Sequence, residues 1–164
     1  MKTLLILRHA KSSWKNPHLS DHDRPLNPRG KKAAPRMGRL MKDENIIPDL
    51  IICSTAQRAR DTMNLCIEAS GFNGAVVQEP DLYGSTAYDY IEVINRHAEQ
   101  QDIVMTIGHN PTCEELLYCL TDQRHRMPTA ALAAIKLDLS SWQELQTSET
   151  KGELKNLWRP KELD

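Results

Sequence analysis

The chain lacks an excess of charge of either sign: 21 basic residues face 22 acidic ones, for a formal net charge of -1. That balance removes the broad positive footprint that nucleic acid or an anionic membrane requires, so any anion site has to be local. No apolar run reaches the length of a membrane span. Leu4 to Leu7 follow a lysine in the manner of a signal peptide, but the run is too short and ends in Arg8-His9-Ala10-Lys11. No Cys-x-x-Cys pair occurs. Cys53, Cys66, Cys113 and Cys119 fall inside predicted strands or helices and read as reduced core thiols of a cytoplasmic protein rather than zinc ligands, whose pairs recur at close fixed spacing. A P-loop, a glycine-rich dinucleotide fingerprint, an internal repeat and a low-complexity tract are missing too.

What is present is alternation. Runs rich in Ile, Val and Leu at 3–8, 49–54, 75–78, 102–108 and 132–138 read as strands buried on both faces, with a weaker sixth near 154–158. Between them, helical spacing links Ala56, Ala59, Met63 and Cys66, then Ala87, Ile91, Ile94 and Ala98, then Cys113, Leu116, Leu117 and Leu120. A further helix over 28–43 starts with Asn27 as cap and Pro28 at its first position, while Pro35 inside it predicts a kink or irregular first turns. The pattern predicts a single α/β domain over 1–164, with a mostly parallel central sheet flanked by helices. Trp142 and Trp158 are expected to pack against the C-terminal part, although the charged tail beyond Ser141 resists assignment.

Arg-His occurs three times, so position has to separate the copies. Arg96-His97 sits in an amphipathic helical pattern and Arg124-His125 in a polar stretch, and both read as solvated surface. Only Arg8-His9 follows a buried-looking strand. In an open α/β sheet, ligands bind beyond the carboxyl ends of the strands. The second strand delivers Ser54, Thr55 and, one helical turn on, Arg58; the fourth delivers His109 and Asn110. Arg58 near one helix start and Asn110-Pro111 as the cap of another suit an anion, and two guanidinium groups fork onto phosphate oxygens as lysine does not. His9 is then the nucleophile, kept neutral by Arg8, Arg58 and a charged His109, with a neighbouring carbonyl fixing its tautomer.

The stretch from Lys11 to Leu26 is long for a loop and suggests a lid or substrate contacts, with Asn16, Trp14, Asp21 and His22 among its polar and aromatic members. Lys11 and Arg24 either touch substrate or keep the loop soluble. Thr129 either lines the pocket or simply starts a strand. His18-x-x-x-His22 carries ligand-type residues, but its loop setting does not favour metal binding, and no metal or other cofactor is expected.

Arg8-His9-Ala10-Lys11-Ser12-Ser13-Trp14, Asp23-Arg24-Pro25-Leu26-Asn27-x-x-Gly30, Ser54-Thr55-Ala56-Gln57-Arg58-Ala59-Arg60-Asp61-Thr62, Gly108-His109-Asn110-Pro111 and Pro128-Thr129-Ala130 together resemble the histidine phosphatase (phosphoglycerate mutase-like) superfamily. Within it they are most similar to the short SixA-like phosphohistidine phosphatases. The resemblance implies a phosphoglycerate mutase-like fold without a large cap insertion, since one helical segment separates Glu79 from Asp102. It implies His9 as the phosphorylated nucleophile and Arg8, Arg58 and His109 as the phosphate pocket. Its substrate would be a phosphorylated protein or a small phosphate ester, most simply protein phosphohistidine. A small-molecule phosphomonoesterase, a mutase and a non-catalytic phosphate- or phosphopeptide-binding module are the alternatives. Ala10 stands where relatives carry glycine, a position not expected to need positive φ. Asn110 stands where many carry an acid, which leaves Glu79 and Asp81 as candidate general acids, or as solvated loop carboxylates. The missing acid itself fits phosphohistidine, whose imidazole leaves without the proton an alkoxide needs.

Overall fold

A computed structural model describes residues 1–147 and 151–163. In chain order the elements are β1 (Lys2–Arg8), α1 (Pro28–Asp43), β2 (Leu50–Ser54), α2 (Gln57–Ser70), β3 (Ala75–Glu79), α3 (Ala87–His97), β4 (Ile103–Gly108), α4 (Thr112–Thr121), β5 (Leu132–Leu137) and β6 (Gly152–Trp158). Short 3-10 turns lie at Asp21–Asp23, Pro80–Leu82, Trp142–Glu144 and Pro160–Glu162. All six strands join one sheet in the order β3-β2-β4-β1-β5-β6. Neighbours from β3 to β1 run parallel, whereas β5 and β6 run antiparallel, so the sheet is mostly parallel.

The two-residue period of the strands splits the core into two layers. Leu4, Ile6, Leu50, Ile52 and Val104 face α3 and α4, packing with Ile91, Ile94, Leu116 and Leu120. Leu5, Leu7, Ile51, Cys53 and Met105 face the other way, onto Met37 and Met41 of α1 and Met63 and Cys66 of α2. Burying each such Leu or Ile contributes about 1.5–3 kcal/mol, so the sheet is clamped from both sides. Trp142 is fully buried and its indole N–H donates to the Gln101 carbonyl at 2.6 Å; Trp158 packs against the α1/α2 layer.

Two expectations need correction. β3 is not buried on both faces: Ala75, Val76 and Gln78 are exposed and only Glu79 is buried, because the strand forms one edge of the sheet. α1 runs unbroken through Pro35, capped by Asn27 Oδ1 accepting from the Gly30 N–H at 2.9 Å. Pro35 has no N–H to give the Lys31 carbonyl, and the helix continues past it without that bond. No helix of the described residues is long and apolar enough to cross a membrane.

Candidate active site

The site forms because neighbouring strands send their chains to opposite faces. β1 and β4 pair in register, Arg8 opposite Gly108, yet β1 leads into α1 on one face and β4 into α4 on the other. A crevice opens between them at the carboxyl edge. The next residues, His9 and His109, stand across it with ring centroids 5.2 Å apart. The His9 N–H donates to the Gly108 carbonyl at 3.0 Å, which ties the two junctions together. Gly108 itself passes so close to the Tyr90 hydroxyl that a Cβ would collide with it. That hydroxyl accepts from the His109 N–H at 3.1 Å and donates to the Leu82 carbonyl at 2.7 Å.

β5 completes the enclosure. The loop after α4 returns to the site before β5 runs back antiparallel to β1, which places Ala130 beside the strand exit. Its N–H reaches both the Arg8 carbonyl at 3.1 Å and the His9 carbonyl at 3.0 Å, and its φ of 65° lies in the left-handed region. Backbone strain of this kind is held only where surrounding structure fixes it, and here it fixes the catalytic-looking junction. Ala10 has no positive φ; it is fully buried and its N–H donates to Thr62 Oγ1 at 2.9 Å.

His9 is held from both ring nitrogens. Nδ1 lies 2.7 Å from the Ala10 carbonyl, which accepts only, so Nδ1 carries the proton. Arg58 Nε donates to Nε2 at 3.3 Å, which requires a lone pair there. Both bonds select the same tautomer. Burial first, then His109, Arg58 and Arg8, push the His9 pKa down to about 3 against the pull of the Ala10 carbonyl, so the ring is neutral at pH 7. Burial and Arg58 lower His109 to about 4, with Asp21 opposing. His109 is therefore neutral as well, not the charged donor expected; a second imidazolium in this buried, cation-lined space is too costly.

Ser54, fully buried, lies 2.8 Å from His109 Nε2 through its Oγ. Ser54 Oγ also accepts from the Ala56 N–H at 3.2 Å, and with one proton and two lone pairs it can meet His109 Nε2 as donor or as acceptor. Among the described residues, His109 Nδ1 and Arg8 Nε are buried with no hydrogen-bond partner in the protein. An unanswered guanidinium N–H and an unanswered imidazole nitrogen beside the neutral His9 ring suit a tetrahedral oxyanion. Arg8 otherwise donates Nη1 to the Met127 carbonyl at 3.1 Å.

The structure does not bring the remaining candidates into this constellation. Arg24 is buried and committed: it donates to Ser12 Oγ at 2.7 Å, pairs with Asp21 at 3.1 Å and stacks over Trp14 at 3.5 Å. Asn16 is exposed, and its side chain accepts from the His18 N–H at 3.0 Å in a local turn. Lys11 and Thr129 line a separate cavity of about 450 Å³, and Thr129 precedes β5 rather than starting it. Asn110 does not cap α4; Pro111 holds that position, and the Asn110 amide bonds Glu114 at 3.0 Å and the Met127 carbonyl at 2.9 Å. Glu79 and Asp81 engage the surface pair Arg96-His97, of which Arg96 is exposed as read from the sequence: His97 Nε2 lies 2.7 Å from Glu79, and Arg96 bridges to Glu79 and Asp81 at 3.3 and 3.2 Å. Burial raises the Glu79 carboxyl, but the His97 and Asp81 hydrogen bonds and Arg96 outweigh it and hold the group below its ordinary value. That is the wrong direction for a general acid.

A family model described as the histidine phosphatase superfamily, branch 1, matches residues 4–84. An uncharacterised protein of Mycobacterium tuberculosis is 32% identical over 142 residues, 80% of this chain and 87% of that one. The chain belongs to the histidine phosphatase superfamily. Its SixA-like character shows in the likeness to a candidate phosphohistidine phosphatase SixA from Agrobacterium tumefaciens, with a TM-score of 0.82 at 29% identity over 97% of this chain and 98% of the other. A 2,3-bisphosphoglycerate-dependent phosphoglycerate mutase of Bifidobacterium longum is 36% identical over 69 residues, 41% of this chain but 28% of the mutase.

In this member of the histidine phosphatase superfamily, sequence reasoning missed the clamp on Arg58. Asp21 receives Arg58 Nη1 on its backbone oxygen at 2.7 Å and Nη2 on its carboxylate at 3.1 Å, while the Tyr83 hydroxyl donates to the same carboxylate at 2.7 Å. The Tyr83 bond, with Arg58 and Arg24, outweighs burial and lowers the Asp21 pKa to about 2. Nearby, His22 Nε2 lies 2.9 Å from Thr55 Oγ1. The long 11–26 loop is thus folded back onto α2, with Ser12 bridging to Leu26. Asp21 stood in the sequence among several charged loop residues, and nothing local marked it out. Tyr83 carried no signal at all.

Proposed function

We propose that the chain hydrolyses phosphoryl groups carried on histidine side chains of other proteins, through a covalent phosphohistidine at His9. The observation that carries this reading is the His9 ring: buried, neutral, with its proton fixed on Nδ1 and its Nε2 lone pair met by Arg58 Nε, yet with no proton-donating carboxyl bonded to it among the described residues. Asp21 is anionic at its pKa of about 2, and Glu79 is turned to Arg96 and His97. A sugar or alcohol phosphate would expel an alkoxide with no acid to protonate it. Phosphohistidine has no such need, because its imidazole already carries a proton on the far nitrogen and departs as a neutral ring.

As the phosphoryl group enters, Arg58 Nε transfers its hydrogen bond from His9 Nε2 to a phosphoryl oxygen, and the freed Nε2 lone pair attacks phosphorus while the substrate P–N bond breaks, that bond's electron pair leaving on the departing imidazole. Arg8, Arg58 and His109 hold the phosphoryl oxygens throughout. Water then cleaves the phosphoryl group from His9, yielding inorganic phosphate and the neutral ring. The SixA-like resemblance supports the substrate class. The mutase alternative rests on the partial match to a phosphoglycerate mutase; it needs a covering segment, whereas here only a 3-10 turn and α3 lie between β3 and β4.

Labelled phosphoramidate or a histidine-phosphorylated peptide, quenched in alkali during turnover, should leave label on His9. His9→Ala should cut turnover at least about 10³-fold without a change in circular dichroism. Normal turnover by that variant would overturn the mechanism, and equal activity on phosphohistidine, phosphoserine and sugar phosphates would overturn the substrate class. Phosphate binding with no turnover of any of them would favour the non-catalytic module.

A further inference from the structure

The chain is almost neutral overall, but its cations are not evenly spread. α1 alone carries Arg29, Lys31, Lys32, Arg36, Arg39 and Lys42 against the single acid Asp43. The N-terminal end of this helix meets the C-terminal turn Pro160–Glu162 around the cavity of about 450 Å³, which Lys11, Arg29, Arg36, Arg159 and Lys161 line with Glu162 as the only acid among the described residues. A second cavity of about 470 Å³ shares Pro128 and Arg159 with the first and reaches Arg8, with Arg126 on its wall beside the acid Glu114, whose carboxylate accepts from the Asn110 amide and the Met127 N–H. A continuous basic strip therefore leads from the phosphate-holding Arg8 out along the surface. Arg159 fastens it: Nε and Nη2 both donate to the Arg126 carbonyl, at 3.1 and 3.0 Å, and Nη1 pairs with Glu162 at 2.9 Å.

Lys11, Arg29, Arg126 and Lys161 are exposed, and none has an acidic partner within ion-pair distance among the described residues. Gly30 shows why Arg29 sits there: a Cβ at that position would collide with the Lys11 carbonyl, so α1 begins hard against the exit of the catalytic strand. Like charges gathered in this way repel one another in the free protein and are relieved when an acidic surface covers them. A small phosphate ester fills only the His9 crevice and gains nothing from cations this far along the surface.

Resting on the reading of His9 as a phosphohistidine phosphatase, we propose that this strip is the docking surface for the phosphorylated protein, and that it selects partners with acidic residues flanking the phosphohistidine. The strip lies to the side of the crevice that is left open by the absence of a cap, so a partner's surface can rest on it while its phosphohistidine enters the crevice.

The test compares the full-length protein with Arg29→Ser/Lys161→Ser on three probes: phosphoramidate, a histidine-phosphorylated peptide flanked by serines, and the same peptide flanked by aspartates. Wild type should prefer the aspartate peptide about tenfold in kcat/KM at low salt. The preference should fade near 0.5 M salt, where the screening length falls to about 4 Å. The double variant should lose the preference and keep wild-type turnover of phosphoramidate and of the serine peptide. Equal rates on the two peptides in wild type would overturn the docking surface alone. Turnover of phosphoramidate but of neither peptide would overturn the protein-phosphohistidine reading, and the docking surface with it. Inhibition of wild type, but not of the double variant, by single-stranded RNA at concentrations where polyglutamate has no effect would assign the strip to nucleic acid and overturn the proposal.

Discussion

Arg8-His9 and Arg96-His97 are the same dipeptide in opposite circumstances. Arg96 and His97 end α3, where Arg96 pairs with Glu79 and Asp81 and the His97 ring bonds Glu79. Arg8 ends β1 and His9 follows it, in a crevice where the donors are cations and neutral imidazoles; Arg8 bonds a carbonyl, and its Nε is buried with no partner among the described residues. One pair is electrostatically closed and the other open. What surrounds the residues sets them apart: a neutral His9 with a fixed tautomer suits the proposed nucleophile, while a His97 bonded to a carboxylate at 2.7 Å is a structural tie.

The comparison can be broken most severely at Arg58, the residue that keeps the open site cationic. Arg58→Lys should lower kcat by about 10²-fold on a histidine-phosphorylated peptide, because an ammonium group does not at once aim at His9, span Asp21 and fork onto phosphate. Arg96→Lys, assayed alongside it, should stay within about twofold. Comparable losses in the two variants would erase the distinction between the pairs.

A smaller effect should appear on acidification. His9 and His109 have folded pKa values of about 3 and about 4, below the ordinary 6.5. Between those values and 6.5 the unfolded chain binds more protons than the folded one. Their neutral burial therefore carries no penalty above pH 6.5, and stability falls as pH drops through the window, by on the order of a few kcal/mol in all. Because His9 stays neutral, the acid limb of kcat/KM should lie below about pH 5. A limb centred near 6.5 would mean that the pocket does not depress His9.

The smallest change is expected from opening the closed pair. Glu79→Gln removes the charge facing Arg96 and His97 and should cost about 1 kcal/mol, read as a fall in Tm of about 2–4 °C, with turnover unchanged. A large loss of turnover on phosphohistidine would return Glu79 to the role of proton donor.

Much of this was legible in the chain. Residues 3–8 alternate onto two core layers and so form a central strand, and the positions just beyond β1 and β4 had to stand side by side once those strands paired in parallel. That is why Arg8, His9, Arg58 and His109 could be named from strand ends alone. Arg24, Asn16 and Glu79 could not be placed, because their partners lie on other segments: Asp21 and Ser12 for Arg24, His97 for Glu79. The exposure of β3 was hidden for a similar reason, since its apolar sequence does not state that it occupies an edge.

Sequence by itself determined the sheet, the two-layer core and the four residues at the crevice, since hydrophobic period and strand-end position are local properties of the chain. Tertiary structure alone decided their state. Burial makes both histidines neutral, Asp21 and Tyr83 arrive from separate loops to clamp Arg58, and the C-terminal turn sets Arg159 and Lys161 beside α1. Desolvation and charge pairing depend on everything within a few ångströms, whatever its distance along the chain.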